Sequence, residues 1–379
     1  MDGRAARAEK AHLSARGGAA LGAIVVAAAL TACASRPPRS PSAGAPADSS
    51  SAAGTAHGSS HESSPGSPPS GEPPTIAVTP LHGWPRCLGD ANHQISGLAY
   101  RDGHLYAVSD QSGVETRALL EIELPSNEGV VPPGESVPPS PADLGRAVGV
   151  RVRCRWQGGP HPDAEGMALD PMTGPPQSVL LALETHADAL IEIGFDDCAL
   201  RSQVAPLTGS DSNEGIEGIA LSPDGVTVYL VHETRTRLFS MPRAGPGPAR
   251  EIARIAGARS LCDAAYDDRG TATTDDDRLL LLDRNARRIL DVTLQGRVAG
   301  VWDLDPEVAR DPDGIPYSLV ALEALALEAR EPDGSLLVYA ATDTPPRPFP
   351  YSRRGKDDDA GRYERRVGML YRFRLPPFP

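Results

Sequence analysis

The chain has 379 residues, among them 38 glycines, 38 prolines and only 17 aromatics, and a formal net charge of −13. The glycine and proline show no G-X-Y period, which excludes collagen, and both are poor helix formers, which disfavours long helical arrays. The acidic balance disfavours nucleic-acid binding through a basic face.

Arg4, Arg7, Lys10 and Arg16 make a positive start, and the apolar run GGAALGAIVVAAAL follows over residues 17–30. As a helix it would measure about 21 Å, too short for a hydrocarbon core of about 30 Å, so it reads as the apolar centre of an export signal. The run ends in Leu30-Thr31-Ala32-Cys33. This resembles the lipobox of bacterial lipoproteins, which implies that Cys33 is lipidated and begins the mature chain. Ala34 and Ser35 follow the cysteine, which resembles outer-membrane sorting. The implied location is the cell envelope, lipid-anchored and facing the periplasm or the exterior, with the membrane as a partner through Cys33.

Residues 34–75 hold 9 Pro, 5 Gly and 12 Ser and no aromatic residue. Such a segment cannot bury enough apolar surface to offset its ordering entropy, and it reads as a disordered tether.

From residue 76 the texture changes to short β-branched and Leu-rich runs separated by Gly, Pro and Asp turns, which predicts an all-β domain over 76–379. The runs repeat. ISGLAY from Ile95, AEGMAL from Ala164, IEGIAL from Ile216, LCDAAY from Leu261 and LEALAL from Leu322 align. Each is followed by a second apolar run, then a third, and in most cases a fourth. Four antiparallel strands per unit predict the blades of a single β-propeller. Five blades are countable. A sixth could lie in Pro125–Ala147 or Asp303–Val320, both of which also read as Pro-rich loops. The last unit lacks a fourth strand, and Thr75–Thr79 (TIAVT) at the amino-terminal edge is expected to supply it and close the ring. Small residues recur in the first strand of each unit, as Gly97/Ala99, Gly166/Ala168, Gly218/Ala220 and Ala324/Ala326; Asp263 stands at the glycine position of the fourth. Close packing of inner strands explains this pattern. Tyr229 and Leu230 read as core residues.

The residues before the small pair are Ser96, Glu165, Glu217, Cys262 and Glu323, and the second runs end in Asp110, Glu184, Glu233, Asp283 and Asp343. These positions are antiparallel neighbours, so the acids are expected to crowd one mouth of the channel. Like charges there raise one another's pKa unless neutralised. They could hold Ca²⁺ or a similar hard cation, with Glu165, Glu217, Glu323 and Asp263 as the ligand candidates. They could instead pair with Arg235, Arg237, Arg284 or Arg287, or cap turns. Glu165, Glu217, Glu323, His161 and His232 are the catalytic candidates; both histidines stand near carboxylates.

The sequence contains no G-x-S-x-G elbow, P-loop, dinucleotide fingerprint or H-E-x-x-H, so neither a nucleotide nor a flavin is expected. Cys87, Cys154, Cys198 and Cys262 remain once Cys33 is assigned to lipid, and four cysteines in an exported chain allow two disulfides in three connectivities. Cys262, on a predicted inner strand, could also be a buried thiol.

NEGIEGIALSPDGVTVYLVHE over Asn213–Glu233, ISGLAYRDGHLYAVSDQSG over Ile95–Gly113 and DAEGMALD over Asp163–Asp170 together resemble the bacterial phytase-like propeller family, often labelled "esterase-like activity of phytase". An acidic-Gly pair opens the inner strand, S-P-D-G makes the turn, and an acid ends the next strand. Glu217 and Glu233 match best, then Glu165 with Glu184, then Ser96 with Asp110; the fourth repeat departs at Cys262 and Asp263. The resemblance implies hydrolysis of a phosphate or other ester, with Ca²⁺ as the cofactor. Two other readings stand beside it. One is a non-catalytic module that binds an envelope partner, and the other is a lactonase-like metal propeller.

Overall fold

In a computed structural model the described residues are 72–81, 84, 86–88, 94–109, 117–125, 148–157, 163–170, 176–184, 188–204, 215–244, 249–271, 273–304, 322–342, 352–354, 363–365 and 368–378. Cys33, the export signal, the proposed tether up to residue 71, His161, Asp110 and Asp343 lie outside them, as do most of the two stretches considered for a sixth blade. Among the described residues no helix is long and apolar enough to cross a membrane.

Five sheets of at least four strands form five blades. The chain opens with β1 (Thr75–Val78) and β2 (Arg86–Cys87). Blade one holds β3 (Ile95–Arg101), β4 (His104–Ser109), β5 (Ala118–Ile122) and β6 (Val150–Arg155). Blade two holds β7 (Ala164–Leu169), β8 (Ser178–Leu183), β9 (Ala189–Gly194) and β10 (Leu200–Val204). Blade three holds β11 (Ile216–Leu221), β12 (Thr227–His232), β13 (Arg237–Pro242) and β14 (Arg250–Arg254). Blade four holds β15 (Leu261–Asp267), β16 (Arg278–Asp283), β17 (Arg288–Thr293) and β18 (Val298–Leu304). Blade five begins with β19 (Leu322–Arg330) and β20 (Leu336–Thr342); a small ribbon of β21 (Ser352–Arg354) and β22 (Tyr363–Arg365) intervenes before β23 (Met369–Leu375).

The ring is closed from the amino terminus, but not by the expected strand. β2 pairs antiparallel with β23 and supplies the fourth strand of blade five. β1, the segment that looked most like a strand, instead adds a parallel fifth strand to the outer edge of blade four, with Thr75 opposite Val301. Between them the chain crosses blade five: Pro80 bridges Phe373, and the Leu81 N–H donates to the Arg372 carbonyl at 2.8 Å. One amino-terminal strap therefore covers the edges of two neighbouring blades, which protects backbone that would otherwise template aggregation.

Alternation along each strand builds the core between blades. On β12, Val228 and Leu230 pack toward blade two, whereas Tyr229 and Val231 pack toward blade four. Five such apolar clusters fill the five blade interfaces. At the axis the inner strands approach closely enough to exclude side chains. A Cβ on Gly218 would lie 2.4 Å from the Asp263 Cα, and one on Gly166 would lie 2.8 Å from the Glu217 carbonyl oxygen. Glycine here is a packing requirement.

Among the described residues a disulfide, Cys154–Cys198, ties the outer strand of blade one to the β9–β10 turn of blade two across a sequence separation of 44. A bridge closing a loop of that length typically stabilises by about 2–4 kcal/mol. Cys262 is a buried free thiol. Burial, with the nearby charges of Glu323, Asp263, Glu217 and Asp283, pushes its pKa well up, so it stays protonated.

Candidate functional site

Every inner strand carries a register shift at its second residue, between Ile95 and Gly97, Ala164 and Gly166, Ile216 and Gly218, Leu261 and Asp263, and Leu322 and Ala324. The residue left over in each bulge is Ser96, Glu165, Glu217, Cys262 or Glu323. A bulge re-aims the side chain it carries, and bulges cluster beside functional sites. The five positions aligned in sequence are thus one structural position repeated around the axis. Their side chains are nearly buried, at 8% exposure for Glu165, 7% for Glu217 and 5% for Glu323.

The second ring of acids is not uniform. The Glu184 N–H donates to the Asp163 carbonyl, the Glu233 N–H to that of Gly215, and the Arg284 N–H to that of Ser260. These three residues are equivalent, so Arg284, not Asp283, occupies the mouth position of blade four. Asp283 lies one residue earlier in register, opposite Leu261, where blade two has Leu183 opposite Ala164. Its carboxylate is fully buried and accepts from the backbone N–H groups of Arg259 and Ser260, each at 3.0 Å, and from Arg288. That is a structural duty.

Arg284 then bridges the mouth: its guanidinium donates to both Glu233 and Glu323. Ser260 Oγ adds a 2.7 Å hydrogen bond to Glu233. Of the four arginines considered as partners, Arg284 takes this role, whereas Arg237 pairs at 2.8 Å with Glu251.

On the blade-two side three acids converge. Asp163, Glu165 and Glu184 each offer a carboxylate oxygen, and these oxygens lie within 4.8 Å of one another. Glu184 is fixed by the Gly215 N–H at 2.7 Å. Burial pushes its carboxyl above the usual range, and the charges of Asp163 and Asp188 add to the rise. Of the sequence-derived metal candidates, Glu165 belongs to this group, and Glu184 joins it from the strand-end acids. Glu217 and Glu323 lie outside it. Asp163 had a readable signal, since it stands two residues from Glu165 at a strand start.

Asp263 lies on the axis itself. Its fully buried carboxylate accepts from the backbone N–H groups of Ala264 at 2.8 Å and Leu325 at 2.7 Å, and also from those of Leu98 and Ile219. Inner strands of four blades thus meet on one side chain. Burial pushes this carboxyl well up, against the pull of those amides. Beyond it, toward the opposite face, the channel widens into a cavity of about 360 Å³ ringed by Ala99, Ala168, Ala220, Ala265 and Ala326. Asp263 therefore separates the acidic mouth from this cavity.

His232 stands at the register position of Leu183, opposite Ile216. It is fully buried, and neither ring nitrogen has a hydrogen-bond partner among the described residues. Burial, with Arg235 and Arg237 nearby, lowers its pKa to about 4.

These features define a five-bladed propeller with a carboxylate-lined mouth at the start of its inner strands. The family described as "Phytase-like: Esterase-like activity of phytase" matches residues 91–344, and the chain belongs to it. No curated protein matches it in sequence. Among solved structures, glutaminyl cyclase from Myxococcus xanthus is 13% identical, covering 81% of this chain and 100% of its own, with a TM-score of 0.46. The calcium-binding protein regucalcin from Agrobacterium tumefaciens is 13% identical, covering 80% and 97%, with a TM-score of 0.41. A protein of unknown function from Bacteroides thetaiotaomicron is 12% identical over 55% of this chain, which spans 44% of that protein, with a TM-score of 0.35.

Proposed function

We propose that the protein is an exported, lipid-anchored phytase-like propeller whose acidic mouth holds Ca²⁺ and hydrolyses an ester, a phosphate ester first among them. The observation that carries this reading is the convergence of Asp163, Glu165 and Glu184. The donor set fits: three carboxylates suit a hard cation that prefers oxygen, and a cation offsets both the burial that chiefly raises Glu184 and the charge of Asp163 that adds to it. When bound, Ca²⁺ supplies Lewis acidity to an ester oxygen and to a water. The chain's residues have separate duties. Asp163, Glu165 and Glu184 hold the ion, the Gly215 N–H orients Glu184, and Arg284 holds Glu233 and Glu323 at the far side of the mouth.

Calorimetry with Ca²⁺ and phosphate release from phytate and p-nitrophenyl phosphate, with Ca²⁺ and with chelator, test the reading. Ca²⁺ binding and turnover are expected in the wild type, both lost in Glu165→Gln, with Ca²⁺ binding retained in Glu217→Gln. Absence of Ca²⁺ binding in the wild type sinks the metal site. Binding without turnover of either ester leaves a non-catalytic binding module, which the Arg284 pairing favours because it ties up two mouth acids, Glu233 and Glu323.

Export is supported by the Cys154–Cys198 disulfide, since such bonds persist in oxidising compartments. Metabolic labelling with a radioactive fatty acid should mark the full chain and not Cys33→Ser; equal labelling of both removes the lipid anchor.

A further inference from the structure

Two carboxylates of blade two hold the chain where it enters blade three. Glu184 Oε1 accepts the Gly215 N–H at 2.7 Å, and Asp188 Oδ1 accepts the next one, that of Ile216, at 3.3 Å. Glu184 follows β8 and Asp188 precedes β9, whereas Ile216 begins β11. The bulge that carries Glu217 starts at the same Ile216. Asp188 is not one of the acids that recur in the repeats, and it stands outside the converging trio.

Asp188 is fully buried, and its φ of 29° is positive, which is uncommon for a residue with a side chain and best tolerated by Asp and Asn. A buried acid with such a backbone persists where its surroundings hold it, and the Ile216 N–H is one of the groups that do so. Gly215, itself buried, is wedged between the two acids. A Cβ there would lie 2.1 Å from Asp188 Oδ1 and 3.3 Å from Glu184 Cγ. Glycine thus lets both carboxylates close on one stretch of backbone. From blade three, the Glu233 N–H donates to the Gly215 carbonyl at 3.1 Å. The 215–216 backbone is therefore held from both blades.

A carboxylate holds an ion well when its orientation is set by other groups before the ion arrives. For Glu184 the orienting group is the Gly215 N–H, and the peptide that carries it is anchored one residue further on by Asp188. We propose that Asp188 is a positioning residue of the acidic mouth: it fixes the 215–216 backbone, so that the Gly215 N–H holds Glu184 where it can share an ion with Asp163 and Glu165. The part of this inference that concerns the ion rests on the Ca²⁺ reading above; the part that concerns Glu184 does not. Asp188 acts through backbone and touches no ion itself.

Amide hydrogen exchange on the full chain with chelator tests the positioning, and calorimetry with Ca²⁺ tests its consequence. Asp188→Gly accepts the positive φ without strain and removes only the acceptor. In it the Gly215 amide, whose own acceptor Glu184 is untouched, should exchange at least roughly tenfold faster, the worth of a hydrogen bond to a charged group. Asp188→Asn keeps an oxygen acceptor and suits the backbone, so it should restore the wild-type rate. The amide of Leu290, buried on β17 of blade four, reports global loss of stability. Ca²⁺ affinity should fall at least roughly tenfold in Asp188→Gly and recover in Asp188→Asn. An unchanged Gly215 amide in Asp188→Gly, or one that speeds up only in step with Leu290, overturns the proposal. A loosened Gly215 amide with wild-type Ca²⁺ affinity overturns its bearing on the ion. Absence of Ca²⁺ binding in the wild type sinks the metal reading alone, and the positioning of Glu184 then stands or falls on the exchange result. Should Asp188→Gly fail to fold, Asp188→Ser, whose shorter side chain stops short of the Ile216 N–H, is judged by the same two amides.

Discussion

Asp263→Gly should lower the unfolding free energy by about 4 kcal/mol, although it restores the glycine that the other repeats favour. The substitution removes the acceptor on which the backbone N–H groups of Leu98, Ile219, Ala264 and Leu325 converge. Each donor left unsatisfied in a buried setting costs about 1–3 kcal/mol, and water entering from the cavity side recovers part of that. The loss also reaches four blades at once, because the amides come from β3, β11, β15 and β19. Asp263→Asn is the sharper probe. It keeps shape and one oxygen but turns an amide donor toward backbone donors, so most of the loss should remain. Urea unfolding of both variants, against Glu217→Gln as a mouth acid outside this cluster, measures the effect. Wild-type stability in Asp263→Gly would show that the carboxylate pins nothing.

Most of the fold is legible in the sequence because its constraints are local. The small pairs Gly97/Ala99, Gly166/Ala168 and Gly218/Ala220 mark inner strands, since nothing larger than hydrogen fits where one strand crosses its neighbour. The misplaced closing strand has an equally physical cause. Thr75–Val78 has the β-branched content of a strand, but Arg86–Cys87, a two-residue strand with no pattern of its own, pairs with β23. The offset of Asp283 against Glu184 and Glu233 arises at a strand end, where a shift of one residue leaves an acid in view and changes which way it points. Reading Arg284 at the mouth requires the ladder, and the ladder turns an unbroken ring of acids into three that converge and two that an arginine holds. The duty of Asp263 depends on closure of the whole ring, which no window of sequence contains.

His232→Leu should stabilise the protein against acid. The wild-type imidazole is fully buried with neither nitrogen hydrogen-bonded, and its pKa falls from 6.5 to about 4 on folding. A base with a depressed folded pKa is protonated first in the unfolded chain. Stability from this residue is therefore intact above pH 6.5, drains as pH falls toward 4, and is constant below that. The full span is worth about 3 kcal/mol, and about 2 kcal/mol is gone by pH 5. Leucine is the replacement that blade two already uses at the same register position, as Leu183 opposite Ala164. It removes two orphaned polar atoms without opening a large cavity, so neutral stability should hold or rise. Urea midpoints for wild type and variant between about pH 7.5 and 4.5 isolate the contribution, because carboxylates elsewhere titrate alike in both. A difference that widens as pH falls confirms a neutral imidazole locked in the blade interface. A difference that stays constant across the range would mean that His232 holds its proton in the folded protein as readily as in the unfolded chain.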